Sequence, residues 1–489
     1  MRKISFFLLV LFANTFAEIF NDKSFLIPVV QESTEAEIAA YAKEHQMLFV
    51  AGDEDLNIFH FQKDKKIEFL KKLEMPESIS SVSVFKNLLA IAMPGNTQSE
   101  LRFYKIEDKS IQLLSEHSVC AGLDNVVFTP NGKWLLGACE GEPSDDYLKD
   151  PEGKIILVKI KENFEFQELT FTHLDSAALL KAGVRNPGKS NFYQSLEPEY
   201  IAITEDSKKA FASLQENNAI AVINLETEKI DSVFPLGALN HSLKGNEIVV
   251  QSKKEILFEN LPLLSLRQPD GLATWTENGN TFIITANEGA SIETDVFSDV
   301  EKIADKLSRN ELEPTIFNDP VLKSLKKKEL AKDSCVKNKK GKCEAVYSFG
   351  SRSVSIFDIS GNLIYDSQNS IEKKIAEIAP TYFNWNSKKG KQKINARSKT
   401  KGIEPENVVI AKIKDKRFAF IALERMSGIF VLDISDLKNI QYAGYYLDTT
   451  HRGPEGLLFI PKEENPWNTP LLIVCYEYSK NLVLYQIKE

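Results

Sequence analysis

Apolar residues recur along nearly the whole chain in short runs that alternate with polar positions, and each run is closed by turn-forming residues. That is the signature of β-strands rather than helices. The stretches LDNVVFTPNGKWLLGACEG followed by GKIILVKI, EPEYIAITEDSKKAFASLQENNAIAVINL, QPDGLATWTENGNTFIITANEG, EPENVVIAKIKDKRFAFIALERMSGIFVLDI and GPEGLLFIPKEENPWNTPLLIVCYEYSKNLVLYQI follow one plan. Each has a strand, a tight polar turn, a second strand ending in a Glu-containing loop, and a third strand. The turns Asn131-Gly132, Glu205-Asp206-Ser207 and Asn278-Gly279 use residues that tolerate positive φ or set up type I geometry. Two further units without the acidic opening, at roughly 36–74 and 79–116, bring the count to seven. Four-stranded units at this repeat length predict an all-β fold, a seven-bladed β-propeller. A pair of sandwich domains is the alternative.

The two ends fit a closed ring. The last unit supplies only three strands, while FLIPVVQ near the N-terminus is a strand without a unit of its own, so pairing the two removes an exposed edge. Residues 171–196, 237–267 and 380–403 fall between one unit's last strand and the next unit's first, and residues 290–344 follow a second strand. In an antiparallel unit both positions lie on the same face, so all four insertions crowd one rim, where functional loops concentrate. The insertion 290–344 is expected to contain helix around Val300–Leu307, and its Lys326–Lys328 cluster reads as a solvated face.

At the N-terminus Arg2 and Lys3 precede an apolar run from Ile4 to Phe16, and Thr15 with Ala17 forms a small-x-small site. Residues 1–17 are therefore expected to be a cleaved secretory signal, the alternative being an uncleaved anchor. Residues 18–489 would form a single propeller domain with no integral membrane segment, exported to a periplasm, a cell surface or the medium. Export permits disulfides. Cys335 and Cys343 flank a Lys-rich loop and form the best pair, a bridge contributing about 2–3 kcal/mol if unstrained. Cys120 and Cys139 form a weaker pair, leaving Cys475 over; the three could equally be small buried strand residues.

Composition narrows the function classes. The 489 residues are 43% hydrophobic and 26% charged, which excludes a disordered or low-complexity chain. A net charge of −9 argues against nucleic acid as a partner, because phosphate backbones are held by a basic surplus. With 6 His, 5 Cys and no CxxC, HExxH, GxxxxGK[ST] or GxGxxG string, zinc sites, P-loops and dinucleotide sites are unsupported.

The acids themselves are patterned. In five units a carboxylate opens the first strand and another closes the second: Asp124 with Glu140, Glu199 with Glu216, Asp270 with Glu288, Glu406 with Glu424, and Glu455 with Glu477. Blade geometry would gather all ten at the mouth of a central channel, where they repel unless cations, arginines or raised pKa values intervene. Ca²⁺ or Mg²⁺ accepts such an oxygen-rich shell, and Glu142, Asp145, Asp146, Asn217, Asn218 and Asn287 add oxygens nearby. The competing reading is that these carboxylates accept backbone N–H groups and tie neighbouring blades together. Arg352, Arg397, Arg425 and Arg452 fall near the same face by the strand count, with Arg185 in an insertion. Arginine beside metal-ready carboxylates can grip phosphate or carboxylate ligands, or simply neutralise the acids. His241 and His451 could transfer protons, but a lone loop His is more often polar surface, and Ser353 could be a nucleophile only with a base that the sequence does not supply.

The strings EGEPSDDY…DPEGK (140–154), EPEYIAIT (197–204), LQENNAIAVINL (214–225), PDGLA…ITANEG (269–289), SFGSRSVSIFDISGNLIYDS (348–367), EPENVVIA (404–411), ALERMSGIFVLDI (422–434) and GPEGL (453–457) resemble the choice-of-anchor I family. The resemblance covers about residues 120–489 and implies an exported propeller similar to YVTN-type and phytase-like propellers. Members include bacterial proteins named alkaline phosphatase-like and an animal mesenchyme surface glycoprotein. Relatives commonly continue ANEG with Asp and a nearby Arg, where this chain has Ala290-Ser291, and carry an acidic RSDD-like loop, here Arg397-Ser398-Lys399-Thr400. Should those positions hold metal or phosphate in relatives, the resemblance does not carry that activity here. The family's C-terminal anchors are expected to be absent, since the chain ends on a strand at Glu489. Two functions follow from these readings. One is an exported propeller binding a small-molecule, phosphorylated or envelope ligand with a divalent cation. The other is a metal-dependent phosphoesterase, in which Arg352 or Arg425 steadies developing charge.

Overall fold

The computed structural model describes residues 19–22, 25–251, 254–332 and 334–489. The expected signal peptide, residues 1–17, lies outside them. Among the described residues seven antiparallel sheets of four or five strands form the ring. In chain order their first strands are Ile38–Ala42, Ser81–Phe85, Leu123–Phe128, Pro198–Ile203, Leu272–Glu277, Pro405–Ile413 and Pro454–Ile460. Each of these strands touches the next and the last touches the first, so they surround a common axis and the fold is a β-propeller.

The reason the second strands read as apolar runs is visible in their burial. Met47–Ala51, Trp134–Cys139 and Leu471–Tyr476 are buried at every residue, because both faces of each sheet pack against neighbouring sheets. The outer strands Ile67–Glu74 and Ser110–Val119 instead alternate with solvent. The core is thus a set of wedges between sheets: Phe49, Ile58, Ile91 and Tyr104 fill the one between the first and second, and Phe430, Ile421, Ile284 and Trp275 the one between the fifth and sixth. The tight turns hold themselves. Thr129 donates to Asn131, whose side chain accepts from the Lys133 N–H, and Thr204, Asp206 and Lys208 repeat the arrangement in the next sheet.

Ring closure follows the sequence expectation: Leu26–Ser33 pairs with Asn481–Ile487, from Leu26 opposite Ile487 to Ser33 opposite Asn481. A second N-terminal strand, Ile19–Asp22, was not anticipated and extends the sixth sheet along Gln441–Asp448. Among the described residues no helix is long and apolar enough to cross a membrane.

The insertion 171–196 carries the short helix Ser176–Ala182, and two others form a further layer. Strands from 237–267 and 290–344 build an additional four-stranded sheet in which Leu263–Leu266 and Cys343–Ser348 run parallel. It has its own core of Ile248, Leu261, Leu312, Phe317, Leu325 and Val346. The expected helix is Ile303–Ser308, joined by Asp319–Leu325, which Asn318 caps by accepting from the Val321 N–H. Cys335 and Cys343 are bridged at the edge of this sheet, Cys120 and Cys139 are bridged in the third sheet of the ring, and Cys475 is free and buried. The Lys326–Lys328 cluster corrects one expectation: Lys326 and Lys327 are exposed, but Lys328 is only 1% exposed because the turn after Leu325 folds it inward.

Candidate functional site

The inner strands begin in a way that aims their acids at the axis. Three open on a Pro–Glu pair, Pro198-Glu199, Pro405-Glu406 and Pro454-Glu455, and proline suits a first strand residue because it has no N–H to give the ladder. Directly after each proline the register shifts against the second strand, and the same shift brackets Asp124 between Leu123 and Asn125. Such a bulge sets extra residues against the partner strand and re-aims the side chains it carries. Asp124, Glu199, Glu406 and Glu455 therefore converge with Asp270, Glu140 and Glu37 on an axial cavity of about 410 Å³. Beyond Asn125, Tyr200, Asn407 and Gly456 the cavity continues into a throat of about 260 Å³ lined by Val82, Val126, Ile201 and Leu457.

Among the described residues seven carboxylates line the mouth and no Lys, Arg or His does. Burial, followed by the charges of Asp270 and Glu142, pushes Asp124 up to about 7. Glu37 is likewise pushed up to about 7 by burial and then by Glu477, Asp53 and Glu35. Burial first and neighbouring carboxylates second hold Glu140, Glu199, Glu406 and Glu455 well above the ordinary range. Asp270 is raised by burial, with its contact to Glu406 and the charge of Lys401 pulling the other way. Glu406 is 7% exposed, and its Oε2 and the Asn407 Oδ1 have no hydrogen-bond partner among the described residues. Asp270, Glu406 and Glu455 each offer an oxygen within 4.8 Å of the others, and so do Glu424, Glu455 and Glu477. Oxygens bound to one Ca²⁺ at about 2.3–2.6 Å can lie up to about 5 Å apart, whereas Mg²⁺ at about 2.0–2.1 Å draws them within about 4.2 Å. Oxygens gathered within 4.8 Å of one another can be drawn onto either ion.

The remaining predicted acids sit beside the mouth. Glu288 is bound by Lys401 and accepts from the Gln215 amide at 2.9 Å, and Glu424 pairs with Arg425 at 3.2 Å. Glu216 is half-buried with one oxygen unpartnered, and Glu477 reaches the mouth only through its group with Glu424 and Glu455. Two glycines set Glu288 in place. A Cβ on Gly350 would lie 2.0 Å from the Glu288 carbonyl oxygen, and one on Gly289 2.3 Å from the Gly350 nitrogen, so the ANEG and SFGSR segments can touch only as glycines.

The arginines are placed differently from the expectation. Arg352 is not on the rim: it is 1% exposed, pairs with Glu372 at 3.1 Å and donates to the carbonyls of Val249, Ser398 and Thr400. Arg397 and Arg425 both bind Glu404, and Arg452 donates to the Ser387 carbonyl at 2.9 Å. Arg185 pairs with Asp299 at 2.7 Å. His241 and His451 are buried rather than surface residues, and Ser353 is buried with its hydroxyl against Ser351 and the Asn287 amide.

Sequence reasoning missed Glu37, Glu197, Glu404 and Lys401. Glu404 is fully buried; burial alone would raise it, but Lys401, Arg397 and Arg425 outweigh that and hold it below the ordinary range. The first Glu of each EPE triplet, Glu197 and Glu404, was legible as a repeat in itself. Glu37 had no such signal, because the first unit lacks the Pro–acid opening.

Chemically, a mouth lined by seven carboxylates has the oxygen donors a hard cation accepts. A family model described as Choice-of-anchor I domain matches residues 37–437. The Mesenchyme-specific cell surface glycoprotein of Strongylocentrotus purpuratus is 26% identical over 332 residues, which cover 61% of this chain and 42% of that protein, so the match spans less than half of the relative. Among solved structures, Kuenenia stuttgartiensis hydrazine synthase overlaps 94% of this chain and 97% of its own at 11% identity and a TM-score of 0.47. The Cps50 (Swd1) β-propeller domain of Myceliophteria thermophila overlaps 95% and 100% at 10% identity and a TM-score of 0.48. At these values the structural likeness carries no functional meaning.

Proposed function

Because the chain belongs to the choice-of-anchor I family, and its ring gathers acids on the axis, we propose that it is an exported propeller that holds a divalent cation, Ca²⁺ or Mg²⁺, at the axial mouth and binds its ligand or partner there. The observation that carries this reading is a cavity lined by seven carboxylates with no cationic side chain among its lining residues. Such a set is costly in the apo protein and relieved by one hard cation. Two disulfides fit an oxidising compartment. The phosphoesterase alternative would need arginines at the mouth to meet developing charge, and among the described residues none lines it: Arg352 is buried against Glu372, and Arg397 and Arg425 bind Glu404 beside it.

The test is calorimetric titration of the full chain with CaCl₂ and MgCl₂, beside a variant carrying Asp270→Asn, Glu406→Gln and Glu455→Gln. Wild type should bind at least one of the two ions, and the variant should lose at least about tenfold in affinity for it, about 1.4 kcal/mol. Equal Ca²⁺ affinity in both proteins would remove the mouth as the site. Chelator-sensitive turnover of a generic phosphomonoester would favour the enzyme reading instead.

A further inference from the structure

A second cavity, of about 260 Å³, lies beside the mouth under the insertion layer, lined by Ser291, Glu293, Lys328, Phe349, Arg397 and Lys401 together with Glu329 and Thr400. Unlike the mouth it carries cationic side chains, Lys328, Arg397 and Lys401, beside two acids. Lys328 is 1% exposed and donates only to the Thr400 carbonyl, so two of its three N–H groups are unspent; among the described residues no carboxylate lies within ion-pair distance. Arg397 gives Nε and one terminal nitrogen to Glu404, and its other terminal nitrogen has no hydrogen bond among the described residues. Lys401 lines this cavity while bound to Glu288, which sits beside the mouth. Of the two lining acids, Glu329 is paired with Lys302 at 3.4 Å and Glu293 is exposed.

An isolated buried ammonium is expensive unless something compensates it. Burial and then Arg352 pull the Lys328 ammonium well below the ordinary lysine range, against smaller opposite pulls from Glu329 and Glu372, while Lys302 adds to the lowering. The group that would satisfy the two spare N–H bonds, the spare Arg397 nitrogen and the local charge is an oxyanion.

We propose that this cavity binds the phosphate or carboxylate group of a small ligand between Lys328 and Arg397. The proposal stands apart from cation binding at the mouth, since it uses different residues, and it is tested without metal. In EDTA-containing buffer the full chain is titrated calorimetrically with inorganic phosphate and, separately, with acetate, to tell a tetrahedral from a planar anion. Wild type should bind at least one of them, and Lys328→Met should weaken that binding at least tenfold with its circular dichroism unchanged. If Lys328→Met does not fold, Glu293→Gln serves, since removing a lining negative charge should tighten binding at least threefold. No binding of either anion by wild type at millimolar concentration, undiminished binding by folded Lys328→Met, or unaltered affinity in Glu293→Gln would each overturn the assignment.

Discussion

Replacing Glu37 with Gln tests the electrostatic account of the mouth most directly. Glu37 lines the axial cavity, and no hydrogen-bond donor to its carboxylate is seen among the described residues. Burial and the acids around it move its pKa from 4.5 to about 7, with Lys480 alone pulling it down. For an acid raised in this way the folded state binds more protons than the unfolded one between those two values, so stability falls as pH rises through that window. At roughly 1.4 kcal/mol per pH unit the charge costs the folded protein about 3 kcal/mol above pH 7, and solvent at the half-open mouth screens this to about 1–3 kcal/mol. Gln keeps the size and removes the charge. In denaturant titrations with EDTA, Glu37→Gln should therefore match wild type near pH 4.5 and exceed it by about 1–3 kcal/mol at pH 8. Saturating Ca²⁺ should narrow or reverse that gap, because the cation stabilises the charged form. A variant that is no more stable than wild type at pH 8 in EDTA would show that the mouth tolerates its charges by some other means, and the reasoning would fail.

The same pKa directions predict that protons compete with metal: apparent Ca²⁺ affinity should fall as pH is lowered from 8 to 6, read by titration at each pH, and a flat profile would contradict the raised values at Asp124 and Glu216, both about 7. Arg352→Met leaves Glu372 buried and unpaired, so it should cost about 3–5 kcal/mol in denaturant midpoint, against less than about 1 kcal/mol for Arg452→Met at the half-buried rim. Gly350→Ala should cost more than about 1 kcal/mol, because its added methyl must push the Glu288 carbonyl away at a position with φ of 68°. Replacing Cys335 and Cys343 by Ala should cost at most about 2–3 kcal/mol for a bridge spanning 8 residues, with faster hydrogen exchange confined to the additional sheet.

Much of this was written along the chain. The period-two runs, the turn at Asn131-Gly132 and the orphan strand near the N-terminus determined the strands, their order and the closure of the ring, because alternation and turn chemistry are local properties. So did the positions of Asp124, Glu199, Asp270, Glu406 and Glu455, since the residue opening an inner strand of a ring must face its axis. What tertiary structure alone decided is which charges meet. Arg352 counts to the rim by strand number, yet the αL turn that carries it sends the side chain inward to Glu372 and three carbonyls. Lys328 sits in a run that looks solvated, and a single turn after a short helix buries it. Glu404 is neutralised by Lys401, Arg397 and Arg425, whereas Glu406, two residues on, keeps a bare oxygen at the mouth. Local pattern places a residue on a strand, but the partner of a charge is fixed by which loop folds over it, and those contacts join residues far apart in sequence.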